Sequence, residues 1–289
     1  MKHVGKTAFA FAAVALACAA QAGSLKWYKS YDTAVRKALK AGKPIFMLSG
    51  RESCYNTTTT RDRSCESSQA RAALGKYILW FCNCDEQRDE LRPYADGLGG
   101  FTLPLTCVIN PYDPEDYAVR ETGLLQSSEV VSLLRKGSKK VFRKVTFDGN
   151  GGTPGTKSRN VLRGGQIGTL PKATRKGYTL KGWFAEDGEK IYKTDEVDGK
   201  VTCYAQWKRN EYTIKFSKNG GKGGMEAIVA SYGKKVTLPA CAFKRSGYKF
   251  LGWAKTKSGS VAYKNKAGVK SLTDKADGTV TLYAVWKKK

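Results

Sequence analysis

Histidine is almost missing from this sequence: the one copy, His3, stands three residues from the start. Without an imidazole base, Ser/His/Asp and Cys/His hydrolytic mechanisms are excluded for the bulk of the chain. Carboxylates are also scarce. Asp and Glu number 25 against 51 Lys and Arg, a formal charge of +26. A field of that size favours anionic partners such as nucleic acid, acidic polysaccharide or an anionic membrane surface. The basic residues are scattered rather than gathered in one dense run, which equally suits a solvated coat on an exported protein. Beyond residue 22 no apolar run approaches the roughly 20 residues a membrane-spanning helix needs, so no transmembrane segment is expected. Gly149–Gly155 and Gly220–Gly224 are glycine-rich but lack the Gly-Lys-Ser/Thr ending of a phosphate loop, and read as hairpin turns. Asp85, Glu86, Asp89 and Glu90 read as solvated carboxylates at a helix start rather than a glycosidase pair.

Residues 1–22 have the layout of a signal peptide. Lys2 and Lys6 supply the charged region, Thr7–Ala17 the short apolar region, and Ala20-Gln21-Ala22 a small-residue cleavage site. Leu16-Ala17-Cys18 partly resembles a lipobox, from which Ala15 departs. The expected location is therefore the cell envelope or the exterior. Of eight cysteines, Cys18 leaves with the signal, and the odd remainder implies at least one unpaired thiol. Cys54, Cys65, Cys82, Cys84 and Cys107 lie early, Cys203 and Cys241 far downstream. With no Cys-x-x-Cys pair and no downstream histidine, neither a metal site at Cys82, Cys84 and Cys107 nor any cofactor is expected.

Residues 24–143 alternate helical and strand patterns. Asp32 is placed to cap a helix ended by Gly42, and Ser67–Lys76 is a second helical stretch. Pro44–Leu48, Tyr77–Cys82 and Leu105–Ile109 are apolar runs of strand length, and Tyr117–Arg120 suits an edge strand. Ser127 or Ser128 is placed to cap a last helix carrying Val130, Val131, Leu133 and Leu134. The alternation predicts an α/β domain. Gly42-Lys43-Pro44-Ile45-Phe46 before a strand, Cys54 just after it, Thr102-Leu103-Pro104 before another strand and Gly123 before the last helix make this region similar to the thioredoxin-like fold. The resemblance implies a cis-proline at Pro104 facing an active-site cysteine at Cys54. The usual second cysteine is replaced by Thr57.

Ser138–Val145 reads as a basic connector, after which the sequence repeats. Val145-Thr146-Phe147-Asp148-Gly149-Asn150-Gly151-Gly152 returns as Thr213-Ile214-Lys215-Phe216-Ser217-Lys218-Asn219-Gly220-Gly221. Leu170-Pro171 returns as Leu238-Pro239, Arg175–Trp183 as Arg245–Trp253, and Tyr204–Trp207 as Tyr283–Trp286. Strand-period alternation, Asn-Gly-Gly turns and recurring Tyr and Trp predict two small β cores, at residues 145–208 and 212–287. The pattern resembles the Listeria–Bacteroides repeat, or internalin B-repeat, a β-grasp-like module of bacterial surface and secreted proteins. The expected fold class is thus an α/β thioredoxin-like domain followed by two small, mainly β, β-grasp-like repeats.

Cys54 is the leading chemical candidate, because a thiol at a helix N-terminus is acidified by the backbone dipole and here also by Arg51. Thr57 is positioned to hydrogen-bond its sulfur, as in monothiol relatives. An unbroken helix would hold Cys65 roughly 16 Å from Cys54, but the β-branched run Thr57–Thr60 is a poor helix former and predicts a break. That break would allow a structural Cys54–Cys65 disulfide. The favoured expectation is an envelope or surface binding protein, with the repeats as spacers or adhesive modules for a protein or acidic polysaccharide of the envelope or a host surface. No nucleic-acid partner is expected. One alternative is a monothiol disulfide oxidoreductase using Cys54, Thr57 and Pro104. Another is a cationic module that docks acidic envelope polymers.

Overall fold

The computed structural model describes residues 24–100 and 102–289. The signal-peptide reading falls on residues 1–22 and lies outside them. The first domain is a five-stranded sheet built of β1 (Trp27–Tyr28), β2 (Ile45–Gly50), β3 (Ile78–Asn83), β4 (Leu105–Ile109) and β5 (Val119–Thr122), in the order β1-β3-β2-β4-β5. β1, β2 and β3 run parallel, while β4 pairs antiparallel with both β2 and β5. Helices α1 (Tyr31–Ala41), α2 (Tyr55–Thr59), α3 (Ser68–Leu74), α4 (Arg88–Ala95) and α5 (Ser127–Val141) complete it. This strand order, with helices over both faces, is the thioredoxin-like arrangement.

The strand period of two divides each buried strand between two cores. Phe46, Leu48, Leu79, Phe81 and Val108 point toward α3 and α5. Ile45, Met47, Trp80, Cys82, Cys107 and Ile109 pack on the other face with Ala34, Ala38 and Leu91 of α1 and α4. That is why β2, β3 and β4 read as continuous apolar runs rather than as alternating ones.

Several local expectations are corrected. Ser30, not Asp32, caps α1, its hydroxyl accepting from the Thr33 amide at 3.3 Å. Gln126, not Ser127 or Ser128, caps α5 through reciprocal bonds with Glu129. The run Thr57–Thr60 does not break the helix: α2 passes straight into a π-helical turn, Thr60–Ser64. Tertiary contacts override propensity there, because Thr57 and Thr60 are fully buried and the Thr60 hydroxyl accepts from the Leu125 amide at 3.3 Å. The basic stretch after Ser138 is no free connector. It forms the last turn of α5 and runs directly into the first strand of the first repeat.

That repeat contains β6 (Phe142–Asp148), β7 (Ser158–Leu162), β8 (Tyr178–Phe184) and β9 (Val201–Arg209), in the order β8-β9-β6-β7. The second contains β10 (Glu211–Ser217), β11 (Ile228–Ser231), β12 (Tyr248–Ala254) and β13 (Gly278–Lys288), in the order β11-β10-β13-β12. In each, the first and last strands lie side by side and parallel, flanked by antiparallel partners, as in a β-grasp sheet. The recurring sequence blocks make recurring bonds. Asn150 and Asn219 donate to the Ala205 and Ala284 carbonyls, and Trp207 and Trp286 donate to the Gly149 and Lys218 carbonyls. Arg175 and Arg245 lie 4.2 and 3.8 Å over the rings of Tyr178 and Tyr248. Trp183 and Trp253 sit at the centre of the two cores.

The three units are joined by structured contacts. Leu162 of β7 is buried in the core of the first domain, and the Asn110 side chain donates to the Arg163 carbonyl at 2.9 Å. Between the repeats, buried Asn210 accepts from the Thr179 hydroxyl and donates to the Asp274 carbonyl, both at 2.7 Å.

Two substitutions test this packing. A Cβ on Gly137 would stand 2.7 Å from the Val108 side chain, where α5 crosses β4. Gly137→Ala is therefore expected to destabilise the chain by about 1–3 kcal/mol through overpacking, although alanine favours a helix by about 1 kcal/mol over glycine. Chemical denaturation reads the sign. The two core tryptophans differ in one bond: the Trp183 indole donates to the Pro171 carbonyl at 2.9 Å, whereas the buried Trp253 indole has no partner. Trp183→Phe should thus cost about 1 kcal/mol more than Trp253→Phe. Equal losses in urea titrations would contradict that assignment.

Candidate functional site

The site starts from a glycine. β2 is buried along its length and ends at Gly50, beyond which Arg51, Glu52 and Ser53 are exposed. The turn closes with the Cys54 amide donating to the Arg51 carbonyl at 3.1 Å. Cys54 then occupies the N-cap of α2, half-buried and outside any disulfide.

Thr57 comes one turn later and is fully buried. A Cβ on Gly50 would meet the Thr57 hydroxyl oxygen at 2.2 Å, so only glycine lets this side chain settle against the end of β2. Among the described residues the Thr57 hydroxyl has no hydrogen-bond partner of ordinary geometry. Its donation to the Cys54 sulfur is the largest cause that draws the Cys54 thiol below the usual cysteine range. The Thr57 amide adds to this, burial opposes it, and the Asn56 amide and Arg51 contribute smaller shares. A Cys54 thiolate would be a stronger acceptor for the Thr57 hydroxyl than the neutral thiol.

The remaining thiols are held in the opposite state. Burial pushes Cys65 and Cys82 up to about 12 and Cys203 up to about 11. It also raises Cys107, Cys84 and Cys241. Cys54 is therefore the one described cysteine whose surroundings favour the reactive anion.

The Leu103–Pro104 peptide bond is cis. The Asn56 amide reaches the Leu103 carbonyl at 3.5 Å, tying the proline loop to the first turn of α2. Beside Cys54, the Tyr55 ring is 68% exposed, an apolar surface at the edge of the thiol. A cleft of about 790 Å³ flanks Ser53, with Glu52, Asp85, Glu86 and Glu90 among its lining residues.

Of the residues singled out from sequence, Cys54 and Thr57 are brought together, and Pro104 is linked to them through Asn56. Cys65 is not. It is a fully buried free thiol in the core beneath α3 and α5, and Cys54 is also free. The expected Cys54–Cys65 disulfide required a helix break that does not occur, so the two thiols stand at opposite ends of one helical run. Cys203 fills a core position equivalent to that of Leu282, opposite Phe147 as Leu282 is opposite Phe216. Sequence reading missed Gly50, whose only signal was a glycine ending an apolar strand four residues before a cysteine. It also missed the position of Cys84, which follows β3 directly and whose amide donates to the Gly50 carbonyl at 3.3 Å.

Comparison with known proteins gives the following likenesses. The Listeria-Bacteroides repeat domain family matches residues 144–206 and 212–285. The chain is 29% identical over 163 residues to a protein of Evansella cellulosilytica named as a Gly-rich membrane protein, covering 55% of this chain and 18% of that one. It is 29% identical over 162 residues to a second protein of that organism, named as a membrane protein, covering 55% and 23%. The chain thus spans less than a quarter of the length of these curated relatives. Among solved structures it is similar to a thioredoxin from Thermus thermophilus, at 18% identity over 39% of this chain and 86% of that one, with a TM-score of 0.34. A DsbH oxidoreductase is similar at 16% identity over 46% and 94%, with a TM-score of 0.31. Together with the strand orders described above, the family match shows that this chain carries two Listeria-Bacteroides repeat domains behind a thioredoxin-like domain.

Proposed function

We propose that this is a surface-associated protein whose first domain exchanges disulfides through Cys54, with the two repeats as its surface modules. The lowered Cys54 thiol beside the buried Thr57 hydroxyl, which has no other partner among the described residues, carries this reading. The exchange runs in two steps. The Cys54 thiolate attacks one sulfur of a partner disulfide, forming a mixed disulfide and releasing the other sulfur as thiolate. A second thiolate then attacks the partner's sulfur of the mixed disulfide, forming a new disulfide in the partner and releasing Cys54 as the thiolate. The cis-Pro104 loop, adjoining α2, would hold the extended chain that carries the partner cysteine. Surface association draws on the repeat family and on the membrane-protein names of the relatives, and so does the envelope location expected from the sequence.

A second reading, docking to acidic polymer, is favoured by a separate feature. Where the first domain meets the first repeat, a groove of about 930 Å³ is lined by Lys43, Lys76, Lys139, Arg143, Lys144 and Lys200, with no carboxylate among its lining residues. A polyanionic glycan of the envelope or of a host surface fits that chemistry, and its attachment there would leave the Cys54 site open.

Two outcomes are expected. Alkylation mapped by mass spectrometry should modify Cys54 first, with a rate midpoint below the ordinary cysteine value of about 8.5, and Thr57→Ala should move that midpoint upward. A midpoint unchanged by Thr57→Ala would sink the exchange reading. On an acidic polysaccharide column, retention should fall steeply between 0.1 M and 1 M salt as the screening length shrinks from about 10 to about 3 Å. Lys139→Glu with Lys200→Glu should elute earlier than a control reversal at Lys257 and Lys264. Equal shifts would show that overall charge, not the groove, binds.

A further inference from the structure

The missing second cysteine of the active-site motif has a substitute in another part of the fold. Strands β2 and β3 are parallel neighbours and end level with each other, Gly50 opposite Asn83. The chain leaves both strands at the same edge. From β2 it turns through Arg51 to Cys54, and from β3 it steps directly to Cys84. The Cys84 amide is bonded to the Gly50 carbonyl at 3.3 Å, and the Cys54 amide to the Arg51 carbonyl at 3.1 Å. The two cysteines therefore flank one short stretch of backbone. Arg51 lies between them, and its guanidinium holds Asp85, next to Cys84, at 2.8 Å.

We propose that Cys84 is the resolving thiol of the Cys54 site, so that the two form a redox pair across neighbouring strand ends. This rests on the exchange chemistry proposed for Cys54 and adds the group that completes it. Both thiols are partly accessible, whereas Cys65, Cys82 and Cys107 of the same domain are buried. A disulfide needs Cα atoms within about 7 Å. The segment that must move to close the pair is the exposed Arg51–Ser53 turn. Its side-chain ties are two surface ion pairs, Lys29–Glu52 at 3.3 Å and Arg51–Asp85 at 2.8 Å, a kind of contact that contributes about 1 kcal/mol or less.

The electrostatics favour an ordered sequence. Burial, Asp85 and the negative charge of Cys54 all discourage ionisation of Cys84, while Arg51 favours it. Cys84 therefore stays protonated while Cys54 is a thiolate. Once Cys54 is in a mixed disulfide its charge is gone, and that opposition to the ionisation of Cys84 is removed while Arg51 still favours it. Cys84 loses its proton to solvent and attacks the Cys54 sulfur. The Cys54–Cys84 bond forms, the mixed disulfide breaks, and the partner leaves as thiolate. Overall, two thiols of the protein give two electrons and two protons to one partner disulfide, which becomes two thiols. An external dithiol reductant restores the pair.

Oxidised glutathione added to the reduced full-length chain tests this by disulfide mapping. The native protein should release both glutathione halves and carry a Cys54–Cys84 disulfide. Cys84→Ser should stop with glutathione held on Cys54, and Cys54→Ser should lose the reaction. Unchanged alkylation of Cys54 in Cys84→Ser would show that the substitution leaves the site intact. If the native protein retains glutathione on Cys54 as Cys84→Ser does, or closes a disulfide to another cysteine, the pair is refuted while exchange at Cys54 survives. If Cys54 takes up no glutathione in either form, both the pair and the exchange reading fail.

Discussion

The exchange proposed at Cys54 turns on the buried Thr57 hydroxyl, for which the Cys54 sulfur is the acceptor at hand. A polar group enclosed without a partner costs free energy, on the order of 1–3 kcal/mol. Thr57 is placed in that position by the fold. Ionisation of Cys54 relieves the cost, so the charge on the thiol is favoured by packing as much as by the helix terminus. Gly50 is the enabling residue, since any side chain there would displace Thr57. The cysteine lost from the usual motif thus leaves an acidified thiol behind rather than an inert one, and its replacement by threonine supplies the donor.

The same economy of contacts governs the repeats. Each is a small sheet whose centre is a single tryptophan and whose Asn-Gly-Gly turn is pinned to the last strand by one asparagine and one indole bond. Because these bonds recur at matching positions, the Asn-Gly-Gly and Tyr-Ala-x-Trp blocks each have a role in folding. The arginines of the Arg-x-Gly-Tyr blocks lie over tyrosine rings of their own block and brace the outer face of the sheet. Continuity from α5 into β6, with Leu162 seated in the first core, fixes the first repeat to the domain before it. The basic groove arises from this junction and belongs to neither unit alone.

Much of this was legible in the sequence, for physical reasons. Apolar runs of strand length mark strands buried on both faces, and the doubled blocks mark units that fold alike. The placement of Cys54 at the start of α2 and of Pro104 just before β4 was legible because both sit at fixed offsets from those strands. What was not legible depended on contacts between distant segments. The threonine run is helical because its side chains are buried against β2 and the loop before α5, which propensity cannot register. Ser30 and Gln126 cap their helices in place of nearby residues of equal local merit, since tertiary placement decides where a helix begins. In the sequence Cys84 stands out only as one of the early cysteines that lack metal-ligand spacing. Its relation to Cys54 exists only once β2 and β3 lie side by side and end at the same level.

Among the described thiols Cys54 alone has surroundings that lower its ionisation point. An ultraviolet thiolate titration of the reduced native chain against Cys54→Ser tests it most directly. The account predicts an absorbance step below pH 8.5, the approximate value for a free cysteine, in the native chain and its loss in the variant. Superimposable titrations of the two proteins would contradict it.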